Sequence, residues 1–199
     1  GVATVAGETY SGAWAIALAQ LGDPETAKLS LTTIFNNVTL VKVFGLSGAG
    51  LAMLHCAKPA LKNKARAIYV PAILTSCLAA ITEPIEFTFL FISPVLFAVG
   101  AVLAALLSMV LYMFGVVGYQ GGGLIDYITY NWMPMLQNHA GEVVTHIVIG
   151  LIFSVIYFVI FYWAIKRFNI MTPGREVDMG DTVALGKPYA SGANSIFHD

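Results

Sequence analysis

The sequence predicts an all-α integral membrane protein: transmembrane helices, some of them broken, with a re-entrant hairpin among them. Three observations carry this. Of the 199 residues, 58% are hydrophobic and 11% charged, and the mean hydropathy is +0.78; a soluble domain runs nearer a quarter charged. Between Ala67 and Ile165 there is no Lys or Arg, while Lys58, Lys62, Lys64 and Arg66 precede that stretch and Lys166 and Arg167 follow it. Cations that flank apolar spans mark the cytoplasmic side, so both brackets read as cytoplasmic, with an even number of crossings between them. Finally, "AAITEPIEFTF" at Ala79–Phe89 sets Glu83, Pro84 and Glu86 inside the most apolar part of the chain.

In chain order, residues 1–21 are small and weakly apolar, and read as a short helix or the end of a span. The start "GVATVAGETYSG" lacks the basic and apolar regions of a signal peptide and reads as beginning mid-protein. "LGDPETAK" at 21–28 holds turn formers. Thr32–Cys56 is apolar but interrupted by Asn36, Asn37, Lys42, Gly45, Gly48 and Gly50. Such a segment suits a broken helix buried among others, where protein satisfies the irregular backbone.

"HCAKPALKNKAR" at 55–66 reads as a basic cytoplasmic loop. Ala67–Ile81 is short for a span, which needs about 20 residues. Two arrangements meet the parity. In one, 67–93 is a re-entrant hairpin with the acidic stretch at its tip, followed by a full span over about 95–117. In the other, 67–82 is a short tilted crossing and one more crossing follows. Pro94 marks a break. The cation-free 118–142, rich in Gly, Tyr and Trp, reads as a non-cytoplasmic loop. Val143–Ile165 is the cleanest span, with Tyr157, Phe158, Phe161, Tyr162 and Trp163 forming an interfacial belt at its basic end. Residues 1–170 thus form the membrane domain and 171–199 a polar cytoplasmic tail.

Ionisable groups inside a membrane are costly and usually face a cavity, a partner or a substrate. Pro84 disfavours helical geometry at Glu83. The reading is therefore a turn at Glu83, Pro84 at the start of a new helix and Glu86 in its first turn. There Glu86 has an alternative task, since a carboxylate is favoured at a helix N-terminus. No hard oxygen or His ligands lie close enough in sequence for a metal. A proton relay and a sugar both fit a buried carboxylate, which accepts charge-assisted hydrogen bonds from hydroxyls. His55, ending the run "GLSGAGLAMLH", is either a solvated interfacial side chain or a donor to substrate. Lys42 either snorkels or pairs with a carboxylate. Cys56 and Cys77 have neither disulfide nor metal spacing. No basic cluster with interleaved aromatics points to nucleic acid, and no cofactor motif is present.

"ITEPIEFTFLF" resembles the signature of the glucose-superfamily enzyme IIC, the membrane component of the bacterial sugar phosphotransferase system. "VFGLSGAGLAMLHCAKP" resembles the glycine-rich segment that precedes it. "LYMFGVVGYQGGGLIDY", "NWMPMLQNHAG" and "FNIMTPGRE" are similar to the maltose and α-glucoside branch, and the resemblance runs over about residues 30–176. It implies a multi-pass homodimer in a bacterial plasma membrane. A sugar such as maltose would be bound by Glu83 and His55, with Thr82 and Glu86 lining or bracing the site. It also implies phosphorylation by a cysteine on a IIB partner, fed indirectly by IIA and HPr, with no catalytic residue on this chain. Two departures stand out: the first helices of such a domain are not in this sequence, and no IIB motif follows. Competing readings are an ion-coupled secondary sugar transporter with Glu83 or Glu86 as the ion site, a glucose- or glucosamine-specific IIC, and a non-transporting membrane fragment.

Overall fold

The computed structural model describes residues 1–23, 25, 38–116 and 122–176. It opens with an antiparallel hairpin, β1 (Val2–Val5) and β2 (Glu8–Ser11), in the register Val2↔Ser11 to Val5↔Glu8. Ala6 and Gly7 both have positive φ, 50° and 82°, as a two-residue type I′ turn requires. The helical or span-end reading of 1–21 therefore gives way to this hairpin followed by α1 (Ala13–Gly22). The alternation Val2, Thr4 against Ala3, Val5 has a period of two, and the Ala-Gly pair closes it.

The rest of the described chain is helical. α2 (Val38–Leu40), a π-helical turn (Val41–Gly45) and α3 (Leu46–Cys56) run on from one another. The interruption expected within Thr32–Cys56 is thus a widened turn in a helix; Asn36 and Asn37 lie outside the described residues. A 3₁₀ turn (Pro59–Leu61) leads to α4 (Lys62–Ala79), so most of the expected basic loop is helix. α4 ends at Ala80, whose φ of 57° is a left-handed cap. α5 (Glu83–Leu90) follows after two more residues.

α6 (Pro94–Met113) starts where Pro94 predicts a break: the Ser93 hydroxyl accepts from the Leu96 N–H at 3.2 Å and Pro94 takes the first turn. The stretch expected as a non-cytoplasmic loop is largely helical where described, as α7 (Gly123–Tyr127), a second π-helical turn (Ile128–Trp132) and α8 (Met133–Met135). α9 (Ala140–Arg167) contains the predicted span and extends it by a few residues at its start. Among the described residues, α6 and α9 are long and apolar enough to cross a membrane. At 1.5 Å per residue they measure about 30 and 42 Å.

α9 lies along α3 in the same direction, shown by the pairing of Gly48 with Ser154 and of His55 with Phe158 and Tyr162. A Cβ at Gly48 would run into the Ser154 carbonyl, so glycine is what allows this approach. α4 runs the opposite way: its buried Ser76 reaches back to the π-turn. α5 reverses again, with Ile85 beside Gly50 and the Thr88 hydroxyl 3.6 Å from the Met53 sulfur. The core fills the space between these helices with Tyr69, Phe89, Leu107, Tyr157 and Phe161, all at most 2% exposed. Beyond α9, Met171–Glu176 does not leave the fold at once. Thr172 and Gly174 are buried against the start of α4, and 177–199 lie outside the described residues.

Candidate functional site

The Thr-Glu-Pro-Ile-Glu run forms the turn between α4 and α5. The Thr82 carbonyl accepts the first two helical bonds, from Ile85 N–H at 3.1 Å and Glu86 N–H at 2.9 Å. Glu83 and Pro84 occupy the first two helical positions, and both acids lie in the first turn, where the free N–H groups and the dipole favour negative charge. Ile85 and Phe89 are the buried face of α5. Glu86, one position on from Ile85, is carried round to the flank of that face and is half-buried; Glu83 is exposed and Thr82 half-buried.

That flank borders a cavity of about 170 Å³ between α5, α6, α9 and the first π-turn. Its lining is almost wholly apolar: Phe89, Phe97, Gly100, Ala104 and Tyr157 are among its walls, and Lys42 and Glu86 are its two charged residues. The wall is fixed by specific bonds. The Tyr157 hydroxyl donates to the Gly100 carbonyl at 3.1 Å. The Ser76 hydroxyl donates to the Lys42 carbonyl at 2.9 Å, which satisfies backbone that the π-turn displaces. Among the described residues, Lys42 has no carboxylate within ion-pair distance and Glu86 no cation.

Of the four residues singled out in the sequence, Glu86 alone lines this cavity. Glu83 and Thr82 begin the same helix. His55 is elsewhere: it sits at the far end of α3, edge-on to Phe158 and Tyr162 with ring centres 5.9 and 5.7 Å away. Thirteen residues separate it from Lys42, about 20 Å along a helix. The structure thus joins Glu86 with Lys42, whose role the sequence left open, and does not bring His55 to them. Tyr157 and Phe161 read in the sequence as part of an interfacial belt, but both are fully buried in the core while Trp163 is exposed, because the helix face that carries 157 and 161 packs inward; Gly100 carried no signal. Cys56 is 3% exposed, unlike the accessible thiols that act as nucleophiles.

The family model for the phosphotransferase system EIIC matches residues 1–105. A maltose-specific EIICB component from Bacillus subtilis is 54% identical over 69% of this chain and 26% of its own length. An α-glucoside-specific EIICB component from Leptotrichia buccalis is 53% identical over 68% of the chain and 26% of its own. A maltose-specific EIICB component from Escherichia coli is 36% identical over 98% of the chain and 37% of its own.

The chain belongs to the EIIC family of the phosphotransferase system. EIIC proteins are bacterial membrane components, which accounts for the apolar α6 and α9. This EIIC chain spans about a quarter of the length of the first relatives it matches.

Proposed function

We propose that this chain is part of a sugar-translocating EIIC carrier that takes an α-glucoside such as maltose across the bacterial plasma membrane, for phosphorylation by a IIB partner. The observation that carries the reading is the cavity beside α5: a carboxylate and an ammonium in an apolar, aromatic-walled space. Carboxylates accept from sugar hydroxyls, and aromatic faces cover the apolar side of a pyranose. The maltose- and α-glucoside-specific names of the relatives support the choice of sugar.

In this reading α4 and α5 form the re-entrant hairpin. Lys58–Arg66, Lys166–Arg167 and the tail face the cytoplasm, and the carrier works as a homodimer in lipid. Glu83, exposed at the start of α5, meets the sugar from the side that further parts of the carrier cover, with Thr82 beside it. Glu86 contacts the sugar from the cavity, and His55 meets it near the cytoplasmic end. Phosphate reaches IIB through HPr and IIA. Once phosphorylated, the sugar is repelled by the two carboxylates, which lowers its affinity and leaves it inside the cell.

The test is calorimetric binding of maltose, glucose and a β-glucoside to the protein in detergent, with Glu83→Gln and Glu86→Gln. Maltose binding that weakens at least tenfold in both variants is expected. Binding that is unchanged in both would sink the placement of the sugar at α5. Uptake that a protonophore abolishes, while loss of the phosphate relay leaves it intact, would replace this reading with ion coupling.

A further inference from the structure

Lys42 and Glu86 carry opposite charges and line one small apolar cavity, yet no ion pair joins them. Both side chains are half-buried, so each keeps part of its hydration and leaves its charge available to a ligand in the cavity. Here each is held on a different support. Lys42 belongs to the π-turn, whose backbone is fastened to α4 through Ser76; Glu86 belongs to the first turn of α5. The space between them measures about 170 Å³ and is only partly enclosed, so one ring of a larger sugar can sit in it while the rest lies outside.

Resting on the functional reading above, we infer that this cavity is a subsite for a single pyranose ring, in which Lys42 donates to one ring hydroxyl while Glu86 accepts from another. The pairing is chemically complementary. An ammonium offers only donors and a carboxylate only acceptors, whereas each sugar hydroxyl offers both. Phe89, Phe97 and Tyr157 supply the apolar walls, and the Tyr157–Gly100 bond keeps the wall from collapsing into the space. Lys42 is therefore a specificity residue: it selects sugars that place a hydroxyl oxygen opposite the acid.

The experiment measures binding of methyl α-glucoside, its monodeoxy analogues and maltose to the protein in detergent, wild type against Lys42→Met. The expected result is a loss of at least tenfold for methyl α-glucoside and a similar loss for maltose, because one ring of either occupies the subsite. One deoxy analogue, lacking the hydroxyl that meets Lys42, binds the wild type weakly and loses nothing further in the variant. A uniform loss across all analogues would show a structural lysine and overturn the subsite, as would unchanged binding. If Lys42→Met does not fold, Ala104→Leu decides, since it fills the cavity from α6; unaltered affinity there overturns the proposal. A wild-type protein that binds maltose through Glu83 while these variants are silent would refute the subsite alone. A wild type that binds no glucoside refutes the functional reading and the subsite with it.

Discussion

The two ends of the helical bundle are closed by different chemistry. At the end where α3 and α9 finish and α4 begins, cations cover backbone carbonyls. Lys62 Nζ donates to the carbonyls of Leu54 at 2.7 Å and His55 at 3.4 Å. Arg175 donates to the Ile170 carbonyl at 2.9 Å, the Cys56 carbonyl at 3.3 Å and the Asn169 side chain at 2.8 Å. At the end where α4 finishes and α9 begins, neutral and acidic groups take the place of cations. Trp132 Nε1–H donates to His146 Nδ1 at 3.3 Å, the Tyr127 hydroxyl lies 3.5 Å from the same nitrogen, and α7 starts at a glycine pressed on the α4 backbone. Two helix C-termini meet at the first end, so their negative dipole ends call for cations. One arrangement thereby serves the helix dipoles and, in the orientation proposed above, the positive-inside rule. The second end, where described, leaves out Lys and Arg, and closes instead by fit, by neutral hydrogen bonds and by the Asp126 carboxylate, which accepts from the Gly122 N–H at 2.7 Å.

The comparison breaks most visibly at Gly123. Its φ is 79°, and a Cβ there would stand 2.5 Å from the Leu78 carbonyl. Gly123→Ala adds backbone strain of about 1–3 kcal/mol to overpacking of about 1–3 kcal/mol. The expected loss of about 2–6 kcal/mol is read by thermal unfolding in detergent, and a loss below 1 kcal/mol would show that α7 does not depend on this contact. The charged end yields less to one substitution. Arg175→Met removes charge-assisted bonds and is expected to cost about 1.5–3 kcal/mol. It also frees Met171–Glu176 from the start of α4, which hydrogen exchange at the Lys58 amide, bonded to the Gly174 carbonyl at 2.9 Å, would report. Unchanged protection of that amide would mean the segment is held without Arg175.

These two ends were unequally legible in the sequence. Cation placement is a pattern that composition displays, and it marked the first end without any structure. The break at Pro94 and the acidic turn at Glu83–Glu86 were legible for the same reason: proline and buried charge each have one physical consequence that local sequence reveals. The second end was read as a loop because Gly, Tyr and Trp have weak helix propensity; where described, Gly123–Tyr127 and Met133–Met135 are helical and pack on α4 and α9. The hairpin at Val2–Ser11 escaped because its strands are only 4 residues each. At the site, the sequence put forward Glu83 first, with His55, Thr82 and Glu86 beside it; of these Glu86 lines the cavity, because its place one residue on from the buried Ile85 is set by how α5 packs. The π-turn that carries Lys42 depends on a long-range bond to Ser76 that no local pattern contains.

A smaller effect sharpens the contrast between neutral and charged closure. His146→Phe keeps the ring and removes the acceptor of the Trp132 N–H. The expected cost is about 1–2 kcal/mol, with a shift in Trp132 fluorescence and no dependence on salt. A marked salt dependence would overturn the neutral character of the Trp132–His146 contact.

The smallest effect belongs to an exposed ion pair that joins the basic end to Met171–Glu176. Lys64 Nζ lies 3.3 Å from the Glu176 carboxylate, and both side chains are about half exposed, at 60% and 46%. Such pairs contribute about 0–1 kcal/mol, because water and salt screen them and two long side chains lose freedom. Arg175, one residue earlier, is half-buried and holds carbonyls that cannot turn to water. Glu176→Gln is therefore expected to change unfolding by less than about 0.5 kcal/mol and to leave the protection of the Lys58 amide intact. A loss comparable to that of Arg175→Met would show that net charge, rather than donation to the helix-end carbonyls, closes this end of the bundle.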